Sequence, residues 1–248
     1  MKNAVIKIEN LKIQFGTLEV LKDVSLELYE GENLVVLGKS GTGKSVLIKC
    51  IVRLLDANQG TINVQGQEIT NLKSKELDSV REKIGFLFQS GALYDSMTVR
   101  QNLAFPLKRI KKGLTAAQIE TKIIETLENV GLPNVIDKMP SELSGGMRKR
   151  ISLARTIIID PSIMLYDEPT TGLDPVTSDE ISLLINDIKK KYRTSSIIIT
   201  HDIECARAVA DRIVMLHEGK VYKQGTLEDF EKSTDELVNS FFKNKKHN

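Results

Sequence analysis

Three features of this 248-residue chain predict an α/β fold with a mostly parallel core sheet. Short apolar runs, Leu34-Val35-Val36-Leu37, Ile163-Met164-Leu165-Tyr166 and Ser196-Ile197-Ile198-Ile199-Thr200, have the length and continuity of strands buried on both faces. Helical patterns alternate with them; Ile181, Leu184, Ile185 and Ile188 mark one inward face between the second and third runs. The glycine-rich stretch Gly38-Lys39-Ser40-Gly41-Thr42-Gly43-Lys44-Ser45 joins the first run to a helical pattern that begins at Val46-Leu47-Ile48. Strand–helix alternation of this kind implies a parallel sheet with helices on both faces.

The first third is β-rich. Residues 5–13 and 24–29 half-alternate, Glu30-Gly31-Glu32 turns the chain into the first buried strand, and Thr61-Ile62-Asn63-Val64 ends at a Gln65-Gly66 turn. These segments predict a small antiparallel sheet lying against the core. The middle is helical. Thr115 and Gln118 form a capping-box pattern, and Ile119, Ile123, Leu127 and Val130 then share a face until Gly131 and Pro133 stop the helix. A second helix starts with Ser144 as N-cap, turns Ile151, Ala154 and Ile158 inward, and ends before Pro161. This block, about 92–160, is expected as a subdomain inserted between two core strands. Asp174-Pro175 opens the next helix, and 213–216 with 220–222 make a hairpin about Glu218-Gly219. A C-terminal extension, about 227–248, carries Leu237, Val238 and Phe241-Phe242 at the spacing of a short helix. The chain is thus read as one domain, 1–248, without internal repeats.

Composition narrows the function. A formal net charge of +2 gives no electrostatic case for nucleic acid. The apolar runs fall far short of the roughly 20 residues that span a bilayer, and Lys7, Glu9 and Lys12 break any secretory layout near the start. Cys50 and Cys205 sit in helical patterns as small core residues, which suits a reducing cytoplasm rather than a disulfide or metal site. The basic tail Lys243, Lys245 and Lys246 reads as a solvated end that is also suited to anionic lipid headgroups.

The chemistry starts at residues 38–45. Glycines at Gly38, Gly41 and Gly43 let several backbone N–H groups converge on one anion, and a helix N-terminus adds its partial positive charge there. Lys44 can reach outer phosphates and Ser45 can offer its hydroxyl to Mg²⁺, so the chain is expected to bind a nucleoside triphosphate. Asp167 and Glu168 end an apolar strand. In an open parallel sheet, ligands gather at the carboxyl ends of strands, which suits Asp167 to Mg²⁺ and Glu168 to polarising an attacking water. Ser144, Gly145 and Gly146 form a second helix start; two glycines cost about 1 kcal/mol each against alanine, which makes sense if something must approach the backbone closely.

The ordered set of phosphate loop, Gln89, Leu143-Ser144-Gly145-Gly146, the strand ending Asp167-Glu168, Gly172-Leu173-Asp174 and His201 resembles the ATP-binding subunits of ABC transporters, over essentially the whole chain. The resemblance implies the P-loop ABC ATPase fold, an ATPase working on ATP with Mg²⁺, and a homodimer in which each phosphate loop faces Ser144, Gly145, Gly146 and Asp174 of the partner. By the same resemblance Phe15 stacks on adenine, Gln89 touches Mg²⁺ and the water, and His201 contacts the γ-phosphate. Taken alone, Phe15 would be an ordinary core or edge phenylalanine and His201 a structural histidine. Two positions depart from the pattern: Val46 stands where a second hydroxyl often follows, and Met147 replaces the usual glutamine.

Residues 88–100, Phe105-Pro106-Leu107 and Met147-Arg148-Lys149-Arg150 further resemble the ATPase of bacterial Mla-type systems. That likeness implies phospholipid transport, a permease docked near 90–107, an MCE-type lipid-binding protein, and a place on the cytoplasmic face of the inner membrane. Transport of another solute, a soluble non-transport ABC protein, and a nucleotide sensor are the competing readings. The sensor would be favoured had Glu168 been absent.

Overall fold

The computed structural model describes residues 3–242. In chain order it runs β1 (Ala4–Phe15), β2 (Leu18–Tyr29), β3 (Asn33–Leu37), α1 (Lys44–Ile51), β4 (Gln59–Val64) and β5 (Gln67–Glu68). Then come α2 (Ser74–Arg81), β6 (Ile84–Leu87), α3 (Val99–Ile110), α4 (Ala116–Asn129), a 3₁₀ turn (Pro140–Glu142), α5 (Gly145–Ile157), β7 (Ile163–Asp167) and α6 (Pro175–Tyr192). The described residues end with β8 (Ser195–Thr200), α7 (Ile203–Val209), β9 (Arg212–His217), β10 (Lys220–Gly225), α8 (Leu227–Glu231) and α9 (Glu236–Phe242). Two compact units result: one from the chain up to Lys73 and from Ser195 onward, the other from Ser74–Thr194.

In the first unit the strands lie in the order β5-β4-β1-β2-β10-β9-β3-β8. β3 is buried along its whole length and pairs in parallel with β8 and β9, as continuous apolar runs require. β1 pairs antiparallel with β2 and β4. Its alternation breaks where Ile6 and Ile8 give way to Leu11 and Ile13. The break is a register shift at Asn10, whose φ of 51° lies in the left-handed region. Such a bulge swaps which parity faces inward, the physical reason for only half an alternation in the sequence. The antiparallel strands, expected as a small sheet lying against the core, pair antiparallel with one another and join the core edge to edge, β10 meeting β2 in parallel at Lys220 and Asp23. Lys22 N donates to Gly219 O at 2.8 Å beside that junction.

Polar groups fix the foot of the parallel strands. Asn33 N donates to Asp211 Oδ2 at 2.7 Å, and Asp211 N returns a bond to Asn33 O at 3.0 Å. Arg212 grips Glu32 through Nε (2.7 Å) and Nη2 (3.1 Å), a bidentate pair that keeps the guanidinium firmly protonated.

The second unit holds the helical block between β6 and β7, which pair with each other in parallel. Capping boxes at Thr98 and Thr115 start α3 and α4, and Ser144 caps α5. Ile123, Leu127, Val130, Ile151, Ala154 and Ile158 are buried as their spacing predicts; Ile119 is half-buried. Cys50 and Cys205 are buried in the core and not joined in a disulfide. At the C-terminal end Phe230 is buried with its ring 5.6 Å from that of Phe242. Among the described residues no helix is long and apolar enough to cross a membrane. Lys243, Lys245 and Lys246 lie outside the described residues.

Candidate active site

β3 and β8 end in register, Leu37 opposite Thr200, so Gly38 and His201 leave the carboxyl ends of neighbouring parallel strands. Gly43 is the N-cap of α1 at φ 95°. Lys44 is buried, and its Nζ donates to Gly38 O at 2.8 Å and Lys39 O at 3.1 Å. Thr42 N and Oγ1 both donate to the same Lys39 carbonyl, at 3.4 and 2.9 Å. The ammonium is thereby drawn into the loop that the glycines shape. Lys39, Ser40 and Gly41 are exposed, while Ser45 and Val46 are half-buried in the first turn of α1. His201 is exposed beside Asp202, which caps α7 through a bond from Glu204 N at 3.0 Å. Phe15 is 49% exposed at the tip of the β1–β2 hairpin, opposite Leu18 at 64%. These two neighbouring apolar side chains are left in water.

In the second unit Leu87 lies opposite Tyr166, so Gln89 and the pair Asp167-Glu168 leave adjacent strand ends. Both carboxylates are buried, whereas the Gln89 side chain is exposed. Glu168 has φ 51°, an uncommon backbone state that turns its carbonyl out of the strand direction. Thr171 Oγ1 donates to Glu168 Oε2 at 3.1 Å. Lys149, a buried residue of α5, closes this group: its Nζ donates to Gln89 O at 2.9 Å and to Glu168 O at 3.4 Å. Burial lowers the Lys149 pKa, and the charges of Asp167 and Glu168 pull it back up.

Gly146 and Asp174 also meet within this unit, through Thr177, with Ser144 and Gly145 next to Gly146 at the start of α5. Ser144 Oγ accepts from Met147 N at 3.2 Å. A Cβ on Gly146 would stand 2.6 Å from Thr177 Cγ2, so this glycine is needed for the contact of α5 with α6. A Cβ on Gly145 would meet only Leu173 Cδ2 at an ordinary 3.9 Å. Thr177 in turn donates to Asp174 through Oγ1 (2.6 Å) and N (3.0 Å). The hydroxyl first, then the backbone N–H, hold the Asp174 carboxyl below the usual carboxylate range.

The ABC transporter family profile matches residues 21–171. The chain belongs to that family. It is 40% identical to a "probable ribonucleotide transport ATP-binding protein mkl" of Mycobacterium leprae, covering 95% of this chain and 68% of that protein. It is 41% identical to a "methionine import ATP-binding protein MetN 2" of Rhodopseudomonas palustris, covering 92% and 60%. It is also 37% identical to the chloroplastic protein "trigalactosyldiacylglycerol 3" of Arabidopsis thaliana, covering 96% and 73%. The chain therefore spans about two thirds of these relatives' length. Among solved structures, a dimeric ATP-binding cassette, MJ0796, bound to ADP and Pi in a post-hydrolysis state, superposes with TM-score 0.82 at 30% identity, over 90% of this chain and 98% of that one. This ABC ATPase domain works on ATP with Mg²⁺. The oxygen donors expected for the cation, a serine hydroxyl, a glutamine amide and an aspartate, have the hardness Mg²⁺ selects.

Sequence reasoning gave Lys149 no role in the site; it entered only within Met147-Arg148-Lys149-Arg150, as part of the likeness to Mla-type ATPases. Asn102 also went unnoticed. Wholly buried, it accepts from Tyr94 N and donates to the carbonyls of Tyr94, Met97 and Thr98, fixing the path of that segment. Its one available signal was an amide four residues into a capped helix.

Proposed function

We propose that this chain is the ATP-hydrolysing subunit of an ABC transporter that moves phospholipid between membranes of a bacterial envelope. In this reading residues 38–45 hold the triphosphate, with Lys44 on the outer phosphates. Ser45, Gln89 and Asp167 bind Mg²⁺, Glu168 activates water, His201 senses the γ-phosphate and Phe15 stacks on adenine. Ser144, Gly145, Gly146 and Asp174 serve the nucleotide of a second copy, and ATP binding closes the homodimer. The chain sits at the cytoplasmic face of the inner membrane. It engages a permease through residues 90–107 and, through that permease, an MCE-type lipid-binding protein.

The observation that carries the reading is the surface at 90–107. Tyr94 (40% exposed) and Phe105 (37% exposed) pack edge to face at 5.2 Å, and the Arg155 guanidinium lies 4.7 Å over the Tyr94 ring. A partly apolar patch on a rigid scaffold is what a docked helix requires. The similarity to a protein named for a glycolipid favours lipid as cargo. The similarity to a methionine import protein favours an amino-acid importer as the second reading.

The test is to purify the chain with its membrane partners, identify bound lipid by mass spectrometry, and measure ATP turnover in vesicles. Phospholipid co-purification and phospholipid-dependent turnover are expected. Stimulation by L-methionine with indifference to lipid would overturn the lipid reading. Glu168→Gln should bind ATP, accumulate as a dimer and turn over at least a hundredfold more slowly; wild-type turnover would remove Glu168 from the water-activating role.

A further inference from the structure

We infer that Lys149 is a positioning residue for hydrolysis: one buried ammonium holds the backbone carbonyls of Gln89 and Glu168, and so sets where those two side chains project. The inference rests on the roles proposed above for Gln89 and Glu168. An ammonium inside a protein is costly unless its donors are taken up. Here two of its three are, by Gln89 O at 2.9 Å and Glu168 O at 3.4 Å. Both carbonyls belong to residues just beyond strand ends, β6 for Gln89 and β7 for Glu168; Glu168 O also accepts from Thr171 N at 3.4 Å, and the Lys149 ammonium is what links it to Gln89 O.

The rest of the same α5 face supports this geometry. Gly91 lies so close to α5 that a Cβ there would stand 2.4 Å from Ser152 Oγ. One turn further, Arg155 Nη1 donates to Ala92 O. Residues 149, 152 and 155 recur at the three-residue spacing of one helix side and meet the segment 89–94 at three successive points, by hydrogen bonds at 149 and 155 and by close approach at 152. Lys149 differs from the other two because it also reaches the β7 end. A methionine of similar length would be buried at lower cost, yet has no N–H to donate to either carbonyl. The ammonium makes both bonds from a single point, which fixes the separation of the Gln89 and Glu168 backbones.

A misplacement of about 1 Å at reacting groups costs on the order of a hundredfold in rate. Lys149→Met, in the full chain with Mg-ATP, should therefore lower kcat about 10- to 100-fold while KM for ATP stays within threefold and the Tm within a few degrees. Lys149→Arg should recover part of the loss. Lys149→Met combined with Gln89→Ala should fall short of the product of the two single losses, because one acts through the other.

A folded Lys149→Met variant with kcat within twofold of wild type overturns the inference. So does a kcat loss matched by the folded fraction measured by circular dichroism. If the methionine variant does not fold, Lys149→Leu decides: it has no donor for either carbonyl, and an undiminished kcat overturns the inference. Glu168→Gln run in parallel separates the two levels. Wild-type turnover there removes the reading of Glu168 itself, whereas slow turnover there beside fast Lys149→Met removes only the role of Lys149.

Discussion

Replacing Gly43 and Gly41 separately by alanine tests the phosphate loop with an internal control. Both have positive φ, 95° and 83°. An L residue in left-handed backbone costs about 1–2 kcal/mol, and both values lie outside the narrow well such residues tolerate. The surroundings differ. A Cβ on Gly43 would stand 2.6 Å from Leu21 Cδ2 and 3.1 Å from both Val20 Cγ1 and Val20 O, whereas nothing lies within 4 Å of one on Gly41. Leu21 is buried and Val20 O is backbone, so the crowding adds about 1–3 kcal/mol at Gly43 alone. Gly43→Ala should thus cost about 2–5 kcal/mol and Gly41→Ala about 1–2 kcal/mol. The entropy each alanine removes from the unfolded chain cancels in the comparison. At roughly 2–4 °C per kcal/mol for a chain of this size, the Tm gap between the two variants should be about 2–12 °C. Unfolding is followed in urea and by heat without nucleotide, then repeated with Mg-ATP. Ligand at 100 times its Kd adds about 2.7 kcal/mol to a competent loop, and Gly43→Ala should gain less. A Gly43 variant no less stable than the Gly41 variant, with the full ligand gain, would refute the packing of α1 against Val20 and Leu21.

Two further expectations concern single groups. Burial pushes the Cys50 thiol up to about 12, with Asp56 adding to the effect, so at pH 8 only about one molecule in 10⁴ carries the thiolate. Iodoacetamide should spare Cys50 in the native protein and label it in urea by mass spectrometry; rapid native labelling would place it outside the core. Asp174 is held below its ordinary pKa first by the Thr177 hydroxyl, so its stabilisation is present above about pH 4 and is lost as pH falls through the lower folded value. The Tm difference between wild type and Asp174→Ala should therefore narrow below about pH 4; a constant difference down to the lowest pH at which wild type folds would mean the carboxylate is not the cap.

The parallel core was legible because strands buried on both faces leave uninterrupted apolar runs, as at residues 34–37 and 163–166. Helices that announce a cap, at Thr115, Ser144 and Asp174, were legible too. The junction of the antiparallel strands to the core was not, because it rests on one strand pair, Lys220 with Asp23, which no local pattern encodes. Short helices also escaped notice. α2 buries only Leu77 and Val80, and α7 has seven residues started by Asp202. In the candidate site, residue types that bind phosphate or carry carboxylates stood out at once. Lys149 did not, since its partners are main-chain carbonyls, which every residue has.

The paired glycines at 145–146 show how a single explanation divides once packing is known. Close approach by a ligand was the reason offered for both, yet Gly146 has an intramolecular reason in Thr177 Cγ2, 2.6 Å from where its Cβ would sit. Loss of activity in Gly146→Ala would therefore say nothing about a partner's nucleotide, because the α5–α6 contact and the Thr177 bonds to Asp174 would be disturbed as well. Gly145 has no such contact, and alanine there gains up to about 1 kcal/mol in helix propensity. The two substitutions should move stability in opposite directions, Gly145→Ala upward and Gly146→Ala downward. If Gly145 faces phosphate across a dimer, Gly145→Ala should be the more stable protein and the poorer ATPase, with its defect confined to nucleotide-driven dimer formation in sedimentation. A Gly145→Ala protein that is more stable and fully active would leave the second glycine site with a structural reason alone.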